Sequence, residues 1–187
     1  MGASGPAAGR QLLSRLRVAH PFPSTLNGLV AGAVAAGLGA PIPDAARLGL
    51  AMALIQGAIG AVNDLVDAPA DAVAKPWKPI PAGLLRPRTV LRLAAGLAVA
   101  GIGLAAPSGP VVVAIAAGGL ATGLLYDARF KGTPASWIPF AVGIPLMPLY
   151  GALGAVATGA IVPPSIGALC LLAIPAGAGL AIANAAA

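Results

Sequence analysis

Six long apolar runs, separated by short stretches that hold nearly all the charge, limit what this sequence can fold into. The runs cover about residues 24–40, 45–67, 89–106, 111–126, 136–154 and 165–184. Each has about 16–23 residues, close to the roughly 20 that carry an α-helix across a bilayer. Only 9% of the 187 residues are charged, against about 25% in a soluble domain. So few charges cannot cover a water-facing surface. The runs are rich in glycine and alanine, which lets helix backbones approach closely. The expected fold class is all-α, a polytopic transmembrane bundle of about six helices spanning residues 24–187. Residues 1–23 form a basic lead carrying Arg10, Arg15 and Arg17, with Leu12, Leu13, Leu16 and Val18 in a weakly amphipathic pattern suited to a membrane surface.

The chain has five acidic residues, and three of them, Asp64, Asp67 and Asp71, lie three and four residues apart at the end of the second run. On a helix that spacing puts them on one face. Asn63 stands beside them, and Lys75 and Lys78 follow in a proline-rich loop over residues 72–88. Ionisable groups next to a membrane segment point to function. Several carboxylate oxygens and an amide oxygen suit Mg²⁺, which keeps waters and takes further oxygens from a phosphorylated ligand. The lysines would meet the remaining phosphate charge. Pro69 removes one backbone donor and should end or kink the second helix, moving Asp71 onto a new turn. A second polar patch, Tyr126 to Lys131, follows the fourth run; by itself it reads as an aromatic-belt tyrosine followed by positively charged loop residues.

With the N-terminus inside, six spans put Arg10, Arg15, Arg17, Lys75, Lys78, Arg86, Arg88, Arg92, Arg129 and Lys131 on the inner side and only Arg47 outside. This bias places the N-terminus and both polar patches on the cytoplasmic face, of the plasma membrane in a bacterium. The basic residues form no continuous patch with interleaved aromatics, so no nucleic acid is expected. One cysteine, Cys170, and one histidine, His20, exclude an intramolecular disulfide and a zinc site built on such ligands. His20 reads first as a structural juxtamembrane residue, with a phosphate contact as the alternative. Gln56 is the deepest strongly polar side chain of the second run, and its simplest role there is an interhelical hydrogen bond.

The pattern Asn63-Asp64-x-x-Asp67-x-x-x-Asp71, followed by Lys75-Pro76-x-Lys78-Pro79-Ile80-Pro81-x-Gly83, resembles the first aspartate-rich signature of the UbiA superfamily of intramembrane prenyltransferases. Leu124-Leu125-Tyr126-Asp127-x-x-x-Lys131-Gly132-Thr133 is similar to that family's loop after its fourth helix. The resemblance implies an integral membrane bundle that moves a prenyl group from an isoprenoid diphosphate to an acceptor, often aromatic. It implies Mg²⁺ held by Asn63, Asp64, Asp67 and Asp71, with Asp64 and Asp67 catalytic. It implies diphosphate contacts from Lys75, Lys78, Tyr126 and Lys131. The partners would be the prenyl diphosphate, an unidentified acceptor and the lipid bilayer.

The sequence departs from the family pattern in three places. Lys78 stands where arginine is common, which keeps the charge but loses the fork geometry. The loop after Lys131 lacks a Gly-Asn pair. No aspartate follows Asp127, so the second aspartate-rich motif near the inner end of the sixth helix is absent, Asn184 standing where it would begin. The expectation is therefore the N-terminal two-thirds of such a protein. Its alternatives are a short enzyme completed by a partner chain in a homo-oligomer, and an inactive membrane protein that at most binds prenyl diphosphate. A phosphatidyltransferase would need an Asp-Gly…Ala-Arg…Gly pattern that this chain lacks.

Overall fold

In a computed structural model describing residues 5–161 and 163–185, the six apolar runs are six helices, preceded by a seventh. The order is α1 (Gly5–Val18), α2 (Pro21–Gly37), α3 (Ile42–Ala74), α4 (Pro87–Ala105), α5 (Pro110–Leu125), α6 (Trp137–Val156) and α7 (Ser165–Ala185). Prolines mark where helices begin: Pro21, Pro43, Pro87 and Pro110 each sit in a first turn. Proline is suited to that position, because its fixed φ is already helical and its missing N–H would be unpaired anyway. A 3₁₀ turn, Ala106–Ser108, extends α4, and a π-helical turn, Tyr126–Phe130, extends α5. Among the described residues, four segments are long and apolar enough to cross a membrane: α3, α4 with its 3₁₀ turn, α5 with its π turn, and α6. α2 has 17 residues, at the short end of a span. The chain is an integral membrane helical bundle. The side chains of Arg10 and Asn184, and residues 186–187 at the end of the last apolar domain, lie outside the described residues.

The lead is helical. Leu12, Leu13 and Leu16 of α1 are exposed while Val18 is buried. The break before α2 takes in Ala19 and His20, and the His20 φ of 48° is left-handed.

α3 is the central element. It packs against α2, α4, α5 and α6, while α6 also carries α7. Leu48, Ala51 and Ile55 of α3 are essentially fully buried, together with Ala31, Ala35, Val112 and Tyr150 from its neighbours. Tyr150 is the largest fully buried side chain, and its hydroxyl donates to the Leu48 carbonyl at 3.3 Å. At the opposite end of α3 from the aspartates, Arg47 donates to Asp44, to the Ser108 hydroxyl and to the Leu104 carbonyl, which pins α3 to the end of α4. α2 and α3 meet through glycine: a Cβ at Gly28 would lie 2.6 Å from the Gly49 carbonyl oxygen.

α3 does not stop at Pro69. It runs on to Ala74 with the proline inside it, so Asp71 stays on the same helix as Asp64 and Asp67. The proline costs one backbone hydrogen bond. A side-chain tie spans that weak point, because the Lys78 ammonium lies 2.8 Å from Asp64 Oδ1 and 2.7 Å from Asp71 Oδ2.

Gly28→Leu should separate α2 from α3 and lower stability by about 1–3 kcal/mol or more, as overpacking does. Gly37→Ala, at a glycine whose added Cβ meets nothing within 4 Å, is the control and should leave stability nearly unchanged. Thermal unfolding of both variants in detergent, beside the wild type, checks the pair.

Candidate binding and catalytic site

The end of α3 and the π-helical turn after α5 come together at one end of the bundle. Two contacts join them across 64 residues of sequence. Asn63 Nδ2 donates to Asp127 Oδ1 at 2.7 Å, and Lys131 Nζ donates to Asp67 Oδ2 at 2.6 Å. The π turn arranges this: the Lys131 amide donates to the Tyr126 carbonyl at 2.8 Å, five residues back, before the chain leaves the helix. The loop after α3 folds back as well. Lys78 reaches Asp64 and Asp71, both nearly buried at 4% and 5% exposure. Asp71 and Lys78 form an ion pair whose angle falls short of a hydrogen bond.

Below these groups lies a cavity of about 780 Å³, within the roughly 300–1,000 Å³ of small-molecule sites. Asn63, Asp67, Lys75, Lys78, Tyr126, Asp127 and Lys131 line its polar mouth. Tyr126 stands edge-on to Phe140, with ring centroids 4.9 Å apart. Deeper, the walls are largely apolar, with Ile55, Ile59, Ile115, Ile144 and Met147.

Of the residues singled out in the sequence, Asn63, Asp67, Lys75, Lys78, Tyr126 and Lys131 line the cavity. Asp64 and Asp71 do not line it; Lys78 holds both. Lys75 is exposed at the mouth and has no ion pair among the described residues.

Two residues belong to the site that the sequence reading left out. Asp127 is 4% exposed; Asn63 satisfies one of its oxygens, and the other is buried with no hydrogen-bond donor among the described residues. His20 Nε2 hydrogen-bonds Asp64 Oδ1 at 3.1 Å, and its ring packs against Gly60, where a Cβ would come within 3.0–3.1 Å of it. The signal for Asp127 was its rarity, since only Asp44 among the other acids lies outside the island. His20 carried a similar signal as the sole histidine. Among the described residues Gln56 makes no interhelical hydrogen bond; its amide nitrogen reaches only the Met52 sulfur, 3.9 Å away on the same helix, and the side chain lines the cavity.

As the side chains stand, no group of three His, Cys, Asp or Glu among the described residues converges to hold a metal ion. Their charge is met by ammonium groups instead. The donors still fit Mg²⁺, which needs only one or two carboxylates besides substrate phosphates and water. Asn63 keeps its amide oxygen available while its nitrogen serves Asp127, and Asp127 presents an unpartnered carboxylate oxygen. Partial burial pulls the Lys78 ammonium down, but its contacts with Asp64 and Asp71 and their charges outweigh burial and hold it above the ordinary lysine value.

A model described as "UbiA prenyltransferase family" matches residues 25–187. A digeranylgeranylglyceryl phosphate synthase of Methanothrix thermoacetophila is 35% identical over 112 residues, covering 59% of this chain and 40% of that protein. The chloroplastic chlorophyll synthase of Arabidopsis thaliana is 32% identical over 186 residues, covering 91% of this chain and 48% of that protein. The solved structure of a UbiA homolog from Archaeoglobus fulgidus, bound to GPP and Mg²⁺, superposes with a TM-score of 0.69 at 20% identity, covering 90% of this chain and 59% of that one. The chain thus spans less than half the length of these two curated relatives.

Lys78→Met would leave two nearly buried carboxylates without their ammonium. It should lower stability by about 1–3 kcal/mol, read by thermal unfolding in detergent near neutral pH without divalent cations. The folded state holds the Lys78 proton more tightly than the unfolded state does. This contribution is therefore fully present from neutral pH up to about pH 10.4, the ordinary lysine value, and is lost as pH rises through the higher folded value. The wild-type and Lys78→Met stability curves should converge in that alkaline range, and again in acid where the partner carboxylates are protonated.

Proposed function

The chain belongs to the UbiA prenyltransferase family, and from that premise we propose that it binds an isoprenoid diphosphate with Mg²⁺ and transfers the prenyl group to an acceptor. The observation that carries this reading is the meeting of α3 and the π turn over an apolar cavity, through the Asn63–Asp127 and Lys131–Asp67 contacts.

In this reading Asn63, Asp64, Asp67 and Asp71 would hold Mg²⁺ with Asp127 beside them, Lys78 first leaving Asp64 and Asp71, and Lys75, Lys78, Tyr126 and Lys131 would contact the diphosphate. Bound Mg²⁺ would neutralise charge on the departing diphosphate. The ammonium groups of Lys78 and Lys131 now sit on carboxylates. When a metal occupies those carboxylates the same lysines are free to turn to phosphate oxygens, where charge grows as the bond breaks. The allylic C–O bond breaks with its electron pair leaving on the diphosphate oxygen. The acceptor supplies the pair for the new bond and releases a proton. The apolar walls hold the prenyl tail and keep water from the cation-like carbon. The basic residues flanking α2, α3 and α5 favour a cytoplasmic mouth and N-terminus.

Isothermal titration of the detergent-solubilised chain with geranyl diphosphate tests the donor half of this reading. Saturable binding should require Mg²⁺ and weaken at least about 100-fold in the Asp64→Ala/Asp67→Ala variant, since two charged contacts are lost. Binding that ignores Mg²⁺, or survives the double substitution, would overturn it. Absence of binding by the folded wild-type chain would leave this chain without a donor site of its own.

A further inference from the structure

α1 has 14 residues and is about 21 Å long, too short to cross a bilayer. Two of its positions, Ser14 and Val18, are buried and lie one turn apart. Val18 packs with Ala61 of α3, Leu85 of the following loop, and Val90 and Ala94 of α4. At about 100° per residue, Leu12, Leu13 and Leu16 point to the opposite side of the helix. They are 60%, 62% and 51% exposed. Arg15 and Arg17, both exposed, stand on the two edges between the bundle side and the leucine side.

The junction that holds Val18 carries further positive charge. Arg86 precedes α4, and Arg88 and Arg92 lie one turn apart on the side of α4 away from buried Val90 and Ala94. The same outer side continues in Val99, 74% exposed and about 10 Å further along the helix. The outer side of α4 thus changes from arginine to hydrocarbon, as a bilayer does between headgroups and acyl chains.

The chain cannot neutralise these arginines itself. It has five acidic residues. Asp44 is held by Arg47 at the opposite end of α3, Asp64 and Asp71 by Lys78, and Asp67 by Lys131. Asp127 is buried beside Asn63. Arg15, Arg17, Arg86, Arg88 and Arg92 are exposed and have no ion pair among the described residues. A nucleic acid would meet the arginines and leave the leucines in water. An anionic lipid leaflet meets both, with headgroups for the arginines and the acyl boundary for the leucines.

We propose that α1 lies flat in the membrane interface at the mouth end of the bundle, and that Arg15 and Arg17, together with Arg86, Arg88 and Arg92, bind the headgroups of anionic phospholipids. The inference does not rest on the donor site, and no diphosphate enters its test.

The full chain, carrying Cys170→Ser and Leu13→Cys labelled with an environment-sensitive nitrobenzoxadiazole dye, is reconstituted in lipid nanodiscs. Quenching of the dye by phospholipids with brominated acyl chains reads the ratio of docked to undocked α1. Replacing about 30% of phosphatidylcholine by phosphatidylglycerol should raise that ratio at least about fivefold, and about 0.5 M salt should remove most of the gain. Arg15→Gln/Arg17→Gln should cut the gain by at least about half, and adding Arg88→Gln/Arg92→Gln should abolish it. Leu12→Ser/Leu16→Ser should undock the helix at every lipid composition. All these positions are exposed, and the lipid and salt series on the otherwise unaltered chain stands without any variant. The proposal falls if the dye docks equally without phosphatidylglycerol, or if the gain survives the four arginine substitutions. It falls equally if the dye is unquenched in every bilayer, which would assign the leucine side to a protein partner.

Discussion

A carboxylate at the end of an apolar bundle needs a counter-charge, and α3 ends in three of them. None of the side chains that meet them lies on α3. Lys78 returns from the loop that follows, Lys131 comes from the turn after α5, and His20 comes from the junction of α1 and α2. Giving Asp64, Asp67 and Asp71 their partners therefore draws three separate parts of the chain onto one point. The polar mouth is assembled by the same attractions that make its charges tolerable, and the apolar packing of α3 against its neighbours holds the cavity open beneath it. In the reading proposed here, a ligand that brings its own cation and anionic oxygens would exchange with these ion pairs.

The cavity divides labour between its mouth and its depth. Below the mouth, apolar side chains of α3, α5 and α6 line most of the cavity with Asn27 and Gln56 among them, while the mouth supplies charge. Close glycine contacts between α2 and α3 keep the α2–α3 side rigid, since neither backbone can move toward the other.

The helices were legible because a run of about 20 apolar residues has few alternatives to a spanning helix, and prolines at Pro21, Pro43, Pro87 and Pro110 sharpened their starts. The reading erred at Pro69 in allowing α3 to end there, since the helix runs on to Ala74. A rule about one backbone hydrogen bond is local, whereas the Lys78 bridge that spans the proline depends on how the following loop folds back. The aspartate island was conspicuous because acid is scarce in this chain. Asp127 and His20 were not, because a single acid beside Arg129 and Lys131, or a single histidine before a proline, reads as ordinary loop chemistry until tertiary packing brings it to Asn63 or Asp64. Gln56 was noticed but assigned to helix packing; among the described residues its amide bonds only the Met52 sulfur, and the side chain lines the cavity.

The π turn at Tyr126–Phe130 makes the segment after α5 sensitive to count more than to composition. A π turn holds one residue more than the α turn it replaces. That extra residue lets Asp127 face the buried side while Lys131 still reaches Asp67. Removing one residue here would rotate everything downstream by about 100° and carry the ammonium away from its carboxylate. Ala128 and Arg129 are exposed and free to vary. Across related chains, this segment should drift in spelling at its outward positions while insertions and deletions are purged from it.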